Sequence, residues 1–135
     1  MSMKRAILLF LVLVCLLVAS AYLGPDLAHA TYKHPKKLNN AAANMVRVLK
    51  KEYRCCKAEI EAAKDLTYQE SSWRNTCRTG SYVGLWQNDI RWHPMHHKRL
   101  WQNPAVNTRR AMKYIRKRYG TIRKALAHSR AHNWY

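Results

Sequence analysis

Glu70 is the side chain whose type and position in this sequence best suit acid–base chemistry. It lies in the segment TYQESSWRNT, in a chain whose 25 Lys and Arg residues outnumber its 7 Asp and Glu residues. Glu70 follows Thr67, Leu66 and Ala63 by three, four and seven residues, so on a helix it continues the apolar face. Burial there disfavours the ionised carboxyl group and raises its pKa, as a general acid at neutral pH requires. A Glu that caps the helix end or pairs with Arg74 fits the same spacing, and the sequence alone leaves both interpretations open.

The other titratable residues give weaker signals for chemistry. Asp89 is the only acidic residue after Glu70, and it can cap a turn or pair with Arg91. A second positioned carboxylate is therefore poorly supported. Several histidines lack a carboxylate or cysteine at metal-ligand spacing, and we expect them in loops and on surfaces: His93, His96, His97, His128 and His132. We expect no metal and no other cofactor.

The elements that must position Glu70 show helical patterns. Apolar residues recur every three or four positions over residues 38–53, which predicts an amphipathic helix. A second helix is predicted over about residues 56–71, and it ends at the serine after Glu70. A loop that contains Gly80 and Gly84 follows this helix.

Two more helices are predicted further along the chain. Asn103 can cap the first of them, with Pro104 in its first position and Gly120 after its end. Thr121 can cap the last helix. The apolar stripes of the two helices comprise Ala111, Met112, Ile115 and Tyr119, and then Ile122, Ala125, Leu126 and Ser129. No alternating pattern is strong enough to predict a large sheet, so the predicted fold class is mostly α.

A short basic stretch and then an apolar stretch open the sequence. The apolar residues 6–23 precede Ala28-His29-Ala30, a small-residue cleavage site, and this order is typical of a secretory signal peptide at residues 1–30. An uncleaved signal anchor is the alternative, because the apolar stretch is just long enough to span a bilayer. Residues 31–135 would then form one small domain with a net charge of +17, since residues 1–30 hold two basic residues and one acidic residue. Such a charge favours anionic partners.

Three cysteines follow the signal segment: Cys55, Cys56 and Cys77. The signal segment indicates an oxidising compartment, where disulfides form. Adjacent cysteines rarely bond to each other, so a disulfide from Cys77 to either Cys55 or Cys56 is predicted, which leaves one thiol. Three cysteines without a C-x-x-C pair make a poor zinc signal.

Four sequence blocks together resemble the lysozyme-like lytic transglycosylases. QESSW at residues 69–73 matches their E-S-x-F/W signature, and GLWQ at residues 84–87 matches their G-L-x-Q block. Asn103-Pro104 with YIRKRYG at residues 114–120 is similar to their third conserved region, and AHSRAHNWY at residues 127–135 is similar to the endings of small secreted and phage members. The resemblance implies a lysozyme-like domain over residues 58–135, preceded by a helical segment at residues 31–57.

The resemblance also implies roles for individual residues. Glu70 matches the catalytic acid/base, Ser71 the serine that helps to orient it, and Gln87 the glutamine that hydrogen-bonds the sugar beside the scissile bond. The residues expected to bind substrate are Ser71, Gly84, Leu85, Trp86, Gln87 and Tyr114. Trp86 and Trp73 can either stack on sugar rings or pack in the core, and a core position is the preferred prediction for Trp73.

One departure from the family pattern concerns the group that supports the catalytic acid. Many members have an A-Y-N-A-G block whose tyrosine plays this role, whereas this chain has AHSRA at residues 127–131. The candidates for a supporting group are therefore Tyr114, Tyr119 and His128.

The implied function is cleavage of peptidoglycan glycan strands with a single acid/base, Glu70, which leaves 1,6-anhydro-MurNAc ends. Three alternatives stay open: lysozyme-type hydrolysis, a wall-binding module without turnover, and a cationic protein that disrupts membranes. The expected partners are peptidoglycan and anionic wall polymers, and the expected location is the cell envelope or the outside of the cell. Nucleic acid is not an expected partner, and a membrane is expected only if the N-terminal segment stays uncleaved.

Overall fold

The computed structural model describes residues 33–92 and 97–135. The predicted signal segment and the two histidines His93 and His96 lie outside these residues. The described residues form five helices: α1 (Asn40–Tyr53), α2 (Lys57–Ser71), α3 (Lys98–Trp101), α4 (Pro104–Arg118) and α5 (Ile122–His132). None of these helices is both long and apolar enough to cross a membrane.

A small antiparallel sheet lies between α2 and α3 in the chain. Its strands are β1 (Arg78–Thr79), β2 (Tyr82–Val83) and β3 (Asn88–Asp89), in the order β1-β2-β3. Each strand has only two residues, too few for an alternating pattern to be visible in the sequence. The prediction of a mostly α fold is confirmed, and this sheet occupies the predicted glycine-containing loop.

Side-chain caps fix where the helices begin. Asn103 Oδ1 accepts hydrogen bonds from two amides in the first turn of α4, at 2.9 and 3.2 Å, and Pro104 fills the first helical position. Thr121 Oγ1 accepts from an amide of α5 at 3.2 Å. These contacts satisfy amides that lack a partner within the helix, and both predicted caps are confirmed. α1 begins two residues later than predicted because Asn39 caps it in the same way.

The apolar faces of the helices meet in one core. α2 packs against α5, and α1 packs against α4. The predicted stripes are buried at these contacts, including Met45 and Leu49 of α1, Met112 and Ile115 of α4, and Ile122, Ala125, Leu126 and Ser129 of α5. On α2, Ala63, Leu66 and Thr67 are fully buried. The face of α2 that leads to Glu70 is therefore the core-facing one, as predicted.

The predicted disulfide is wrong in this structure, since Cys55, Cys56 and Cys77 are all free thiols. Cys55 and Cys56 precede α2, whereas Cys77 follows it. The 15 residues of α2 span about 22 Å at a rise of about 1.5 Å per residue, while the Cα atoms of a disulfide lie within about 7 Å of each other. The Cys77 carbonyl oxygen accepts from the amide of Gly84 at 2.8 Å, and this bond holds Cys77 beside the sheet.

Candidate active site

Glu70 lies in the last turn of α2 with its carboxyl group largely buried. Ser71 is the last helical residue, and Ser72 adopts the left-handed conformation (φ 50°) that ends the helix. Burial raises the pKa of Glu70 from 4.5 to about 7, because the ionised form loses its solvation. Near pH 7, a large fraction of the molecules therefore carries the protonated acid.

Arg74 does not pair with Glu70. Arg74 Nε donates instead to the carbonyl oxygen of Ser71 at 3.3 Å. Within residues 33–92 and 97–135, no ion pair includes Glu70. The structure therefore does not support an ion pair between Glu70 and Arg74 at the helix end. It supports the alternative, a buried acid.

A cavity of about 420 Å³ opens beside Glu70. The other residues that line it are Thr79, Tyr82, Gln87, Asn133, Trp134 and Tyr135. Gln87 has a left-handed backbone (φ 50°), which is costly for a residue with a side chain, and its Nε2 donates to the Gly84 carbonyl oxygen at 3.0 Å. The structure thus brings together Glu70 and Gln87, the two residues that the sequence predicted as neighbours in the site.

Two buried polar side chains fix the segment that carries Gln87 to the helices. Ser71 Oγ lies 2.7 Å from the Leu85 carbonyl oxygen, so the residue after Glu70 joins α2 to this segment. Asn107 of α4 is fully buried, and it accepts from the Trp86 amide at 2.8 Å and donates to a carbonyl of β2 at 3.1 Å. Sequence reasoning missed Asn107, although its place one turn after the Asn103 cap puts it on a defined face of α4.

Three residues predicted to bind substrate are buried instead. The side chains of Ser71, Leu85 and Trp86 have almost no exposed surface, and Trp86 Nε1 donates to Thr108 Oγ1 at 3.0 Å. These side chains shape the site without offering a surface to a ligand, which corrects the predicted substrate contacts. The Ser71 hydroxyl also bonds to backbone carbonyls in place of its predicted role at the Glu70 carboxyl group. Trp73 is buried as predicted.

Gly84 packs closely against the protein itself. A Cβ atom on Gly84 would lie 2.3 Å from Asn107 Nδ2 and 2.6 Å from the Trp101 carbonyl oxygen, and its φ is +77°. Only glycine fits such an approach at a positive φ. Gly84, which the sequence predicted as a substrate-binding residue, is thus packed against α4 and the end of α3.

Tyr135 is a residue of the site that sequence reasoning did not single out. It lines the cavity beside Glu70, and its hydroxyl group donates to the Trp86 carbonyl oxygen. Burial raises the pKa of Tyr135 well above its ordinary value, and the negative charge of Glu70 raises it further. The hydroxyl group of Tyr135 therefore stays protonated and uncharged at neutral pH. Its one sequence signal was the similarity of residues 127–135 to the endings of small family members.

The three residues predicted to support Glu70 form a chain of aromatic contacts that starts at Tyr135. Tyr114 packs edge-on against Tyr135 with ring centroids 6.3 Å apart, and Tyr119 packs against Tyr114 at 6.1 Å. The His128 ring lies 5.3 Å from that of Tyr119, and burial lowers the pKa of His128. The described lining of the Glu70 cavity includes none of these three residues. The tyrosines of that lining are Tyr82 and Tyr135, and the ring of Tyr114 packs against that of Tyr135.

A second cavity of about 630 Å³ adjoins the first. Tyr82, Gln87, Trp134 and Tyr135 line both cavities, so the two lie side by side, and together they are called the cleft. Trp92 also lines the second cavity, and it is 79% exposed, while Trp134 is 49% exposed. Exposed aromatic faces of this kind suit the apolar faces of sugar rings. Tyr114, which the sequence predicted as a substrate-binding residue, lines this second cavity as well.

Asp89 lies in the second cavity and is held by Arg91. Arg91 Nη2 donates to one carboxylate oxygen of Asp89 at 2.7 Å, and Arg91 Nε donates to the other at 3.0 Å. These hydrogen bonds lower the pKa of Asp89 to about 2. The two side-chain carboxyl groups of the cleft therefore differ sharply in pKa. Near pH 7 a large fraction of Glu70 is protonated, whereas Asp89 is ionised. The predicted pairing of Asp89 with Arg91 is confirmed.

The chain matches no family model, no curated protein and no solved structure. In the part of the chain that the structure describes, no group of three or more His, Cys, Asp and Glu side chains could hold a metal ion. The chemical groups that the cleft offers are the protonatable Glu70, the amide of Gln87 and the neutral phenol of Tyr135, within aromatic and basic walls.

Proposed function

We propose that this protein is a lytic transglycosylase that cleaves the glycan strands of peptidoglycan, and that its helices form a lysozyme-like domain. The observation that carries the proposal is the buried carboxyl group of Glu70, with a pKa of about 7, in a cleft beside Gln87. The four sequence blocks that resemble the transglycosylases supply the substrate class. The N-terminal signal segment would deliver the protein to the cell envelope, where this substrate lies.

The mechanism needs one group that gives and then takes back a proton. In the first step, protonated Glu70 donates its proton to the oxygen of the MurNAc-GlcNAc β-1,4 bond while the bond from C1 to this oxygen breaks. The N-acetyl oxygen of the substrate stabilises the positive charge that develops at C1. In the second step, the Glu70 carboxylate takes the proton of the C6 hydroxyl group as O6 bonds to C1. Glu70 ends protonated, no water is consumed, and the product is a 1,6-anhydro sugar end.

The neighbours of Glu70 suit this mechanism. Tyr135 lines the cavity beside Glu70, and its hydroxyl group donates to a backbone carbonyl, so this hydroxyl does not stabilise the ionised acid by a hydrogen bond. The Nε2 of Gln87 is held by the Gly84 carbonyl, which leaves the Gln87 amide oxygen to accept a hydrogen bond from a sugar hydroxyl. A pKa near the working pH lets a single residue act as acid and then as base.

Lysozyme-type hydrolysis is the second candidate, and ionised Asp89 in the adjoining cavity is the observation that favours it. Many glycosidases pair a protonated acid with an ionised carboxylate that acts as base or nucleophile. Both oxygens of Asp89, however, accept hydrogen bonds from Arg91, which neutralises the carboxylate. We therefore prefer the mechanism that uses Glu70 alone.

The proposal is tested by clearing of purified sacculi with Glu70→Gln. This substitution keeps the shape of the side chain but removes the transferable proton, so we expect the clearing rate to fall at least ~10²-fold. Glu61→Gln is a matched control, because Glu61 lies on the same helix, pairs with Lys64 and has a half-exposed side chain. It should clear at close to the wild-type rate.

Three results would count against the proposal in different ways. Clearing by Glu70→Gln at the wild-type rate would remove Glu70 from the mechanism. Wild-type protein that binds sacculi but never clears them would instead support the wall-binding module. Leakage of dye from anionic vesicles that contain no peptidoglycan would support the membrane-disrupting alternative.

A further inference from the structure

One wall of the second cavity is basic. Arg110, Lys113 and Lys117 follow each other by three and four residues on α4, so they lie on one face of the helix, and all three line the cavity. Within residues 33–92 and 97–135, none of the three takes part in an ion pair. The lining has one further cation, Arg91, and one carboxylate, Asp89, which neutralise each other. The cavity therefore carries a net charge of +3.

Some basic side chains outside this cavity are paired with carboxylates. Arg109, the sequence neighbour of Arg110, bonds to Glu52 at 2.7 Å. On α5, Arg123 and Arg130 bond to carboxylates of α2 at 2.9 and 3.2 Å. No Asp or Glu occurs after Asp89 in the sequence. A concave site with one sign of charge focuses the potential and attracts a ligand of opposite charge.

We propose that the basic wall binds the carboxylate groups of peptide substituents on the glycan strand whose sugars enter the Glu70 cavity. This inference rests on the proposed function. Because Gln87 and Trp134 line both cavities, a substituent of a sugar bound at Glu70 reaches the basic wall without a second polymer. Arginine binds carboxylates through paired hydrogen bonds, and lysine adds a mobile positive charge. The cleft should therefore prefer strands that carry peptides with free carboxylates.

The experiment compares two triple variants of the full chain, both made in the Glu70→Gln background so that binding is measured without cleavage. The site variant has Gln at the three cavity cations. The matched control has Gln at one Arg and two Lys of α1, which are exposed, have the same charge and form no ion pair among the described residues. The site variant is Arg110→Gln, Lys113→Gln and Lys117→Gln, and the control is Arg47→Gln, Lys50→Gln and Lys51→Gln.

The binding substrate is purified sacculi free of phosphate polymers, either native or with their carboxyl groups amidated by a neutral amine. On native sacculi we expect the site variant to bind about tenfold more weakly than its parent, because three exposed charge interactions, each worth about twofold, are lost together. The control should lose less than about threefold. On amidated sacculi the parent, the site variant and the control should bind within about twofold of one another.

Three outcomes would overturn the inference. Equal losses in the two triple variants would mean that only the overall charge matters. A loss that is confined to the site variant but persists on amidated sacculi would exclude carboxylates as the ligand. In a parallel measurement on walls that keep their phosphate polymers, a loss seen only on those walls would assign the site to phosphate. If the triple site variant unfolds at the assay temperature, the single substitution Lys113→Gln at an exposed position replaces it. Its binding to native and to amidated sacculi is then compared with that of the parent in the same way.

These outcomes are separate from a failure of the proposed function. Binding is measured with a variant that needs no catalysis. Wild-type protein that shows the expected carboxylate dependence but releases no glycan product would therefore contradict the enzyme and leave the carboxylate site in place.

Discussion

Replacing Glu70 with Gln should change how the stability of the protein depends on pH. Burial raises the pKa of Glu70 in the folded state from 4.5 to about 7. Below about pH 4.5 both the folded and the unfolded chain carry the proton, and the site does not reduce stability. As the pH rises from about 4.5 to about 7, the unfolded chain loses this proton first, so the folded state binds more protons and its stability falls.

The pKa difference gives the size of this loss. One pKa unit corresponds to about 1.4 kcal/mol, so a rise from 4.5 to about 7 removes about 3 kcal/mol of stability by about pH 8. Glutamine has nearly the same shape and no ionised form, so the variant lacks this loss. We expect Glu70→Gln to match the wild type near pH 4 and to exceed it by up to about 3 kcal/mol near pH 8. In a domain of this size that difference corresponds to roughly 10 °C in Tm.

The assay is urea unfolding of wild type and variant from about pH 4 to about pH 8. Glu52→Gln is the control with the opposite sign, because a hydrogen bond from Arg109 lowers the pKa of Glu52. Its contribution is present above about pH 4.5 and is lost as the pH falls, so Glu52→Gln should be slightly less stable than wild type at neutral pH and equal to it in acid. A Glu70→Gln advantage that does not grow between about pH 4 and pH 8 would refute the buried acid.

Three further substitutions test how the site is built. Gly84→Ala should destabilise the fold by at least ~2 kcal/mol in urea unfolding, because its Cβ would lie 2.3 Å from Asn107 Nδ2 at a positive φ; a loss under ~0.5 kcal/mol would contradict this packing. Tyr135→Phe should reduce stability by about 1–3 kcal/mol, because a carbonyl oxygen loses its donor, and an unchanged Tm in calorimetry would speak against that bond. Asp89→Asn should clear sacculi within about threefold of the wild-type rate, whereas a loss as large as that of Glu70→Gln would favour hydrolysis.

The helices and the place of Glu70 could be predicted because their determinants are local. Asn103 and Thr121 cap their helices through hydrogen bonds within one turn. The spacing of apolar residues on α2 selects its core face whatever packs against it. Because Glu70 continues that face, its burial and the direction of its pKa change follow from the sequence.

The remaining contacts of the site could not be predicted, because they join residues that are far apart in the sequence. Tyr135 bonds to the Trp86 carbonyl across 49 residues, and Asn107 bonds to the Trp86 amide across 21. The Trp86 side chain points inward because Thr108, 22 residues away, accepts from its Nε1. The G-L-x-Q pattern holds none of this information. The disulfide prediction failed for the same reason, since the rule that adjacent cysteines rarely bond to each other does not say how far Cys77 lies from Cys55 and Cys56.

The central claim is that Glu70 alone, without water, cleaves peptidoglycan. Mass spectrometry of the muropeptides released from purified peptidoglycan tests it most directly. The account predicts wild-type products one water lighter than hydrolytic ones, with anhydro ends and no reducing muramic ends, and no such products from Glu70→Gln. Products with reducing ends would contradict it, because water would then be the nucleophile, and the absence of any released product would contradict the enzyme itself.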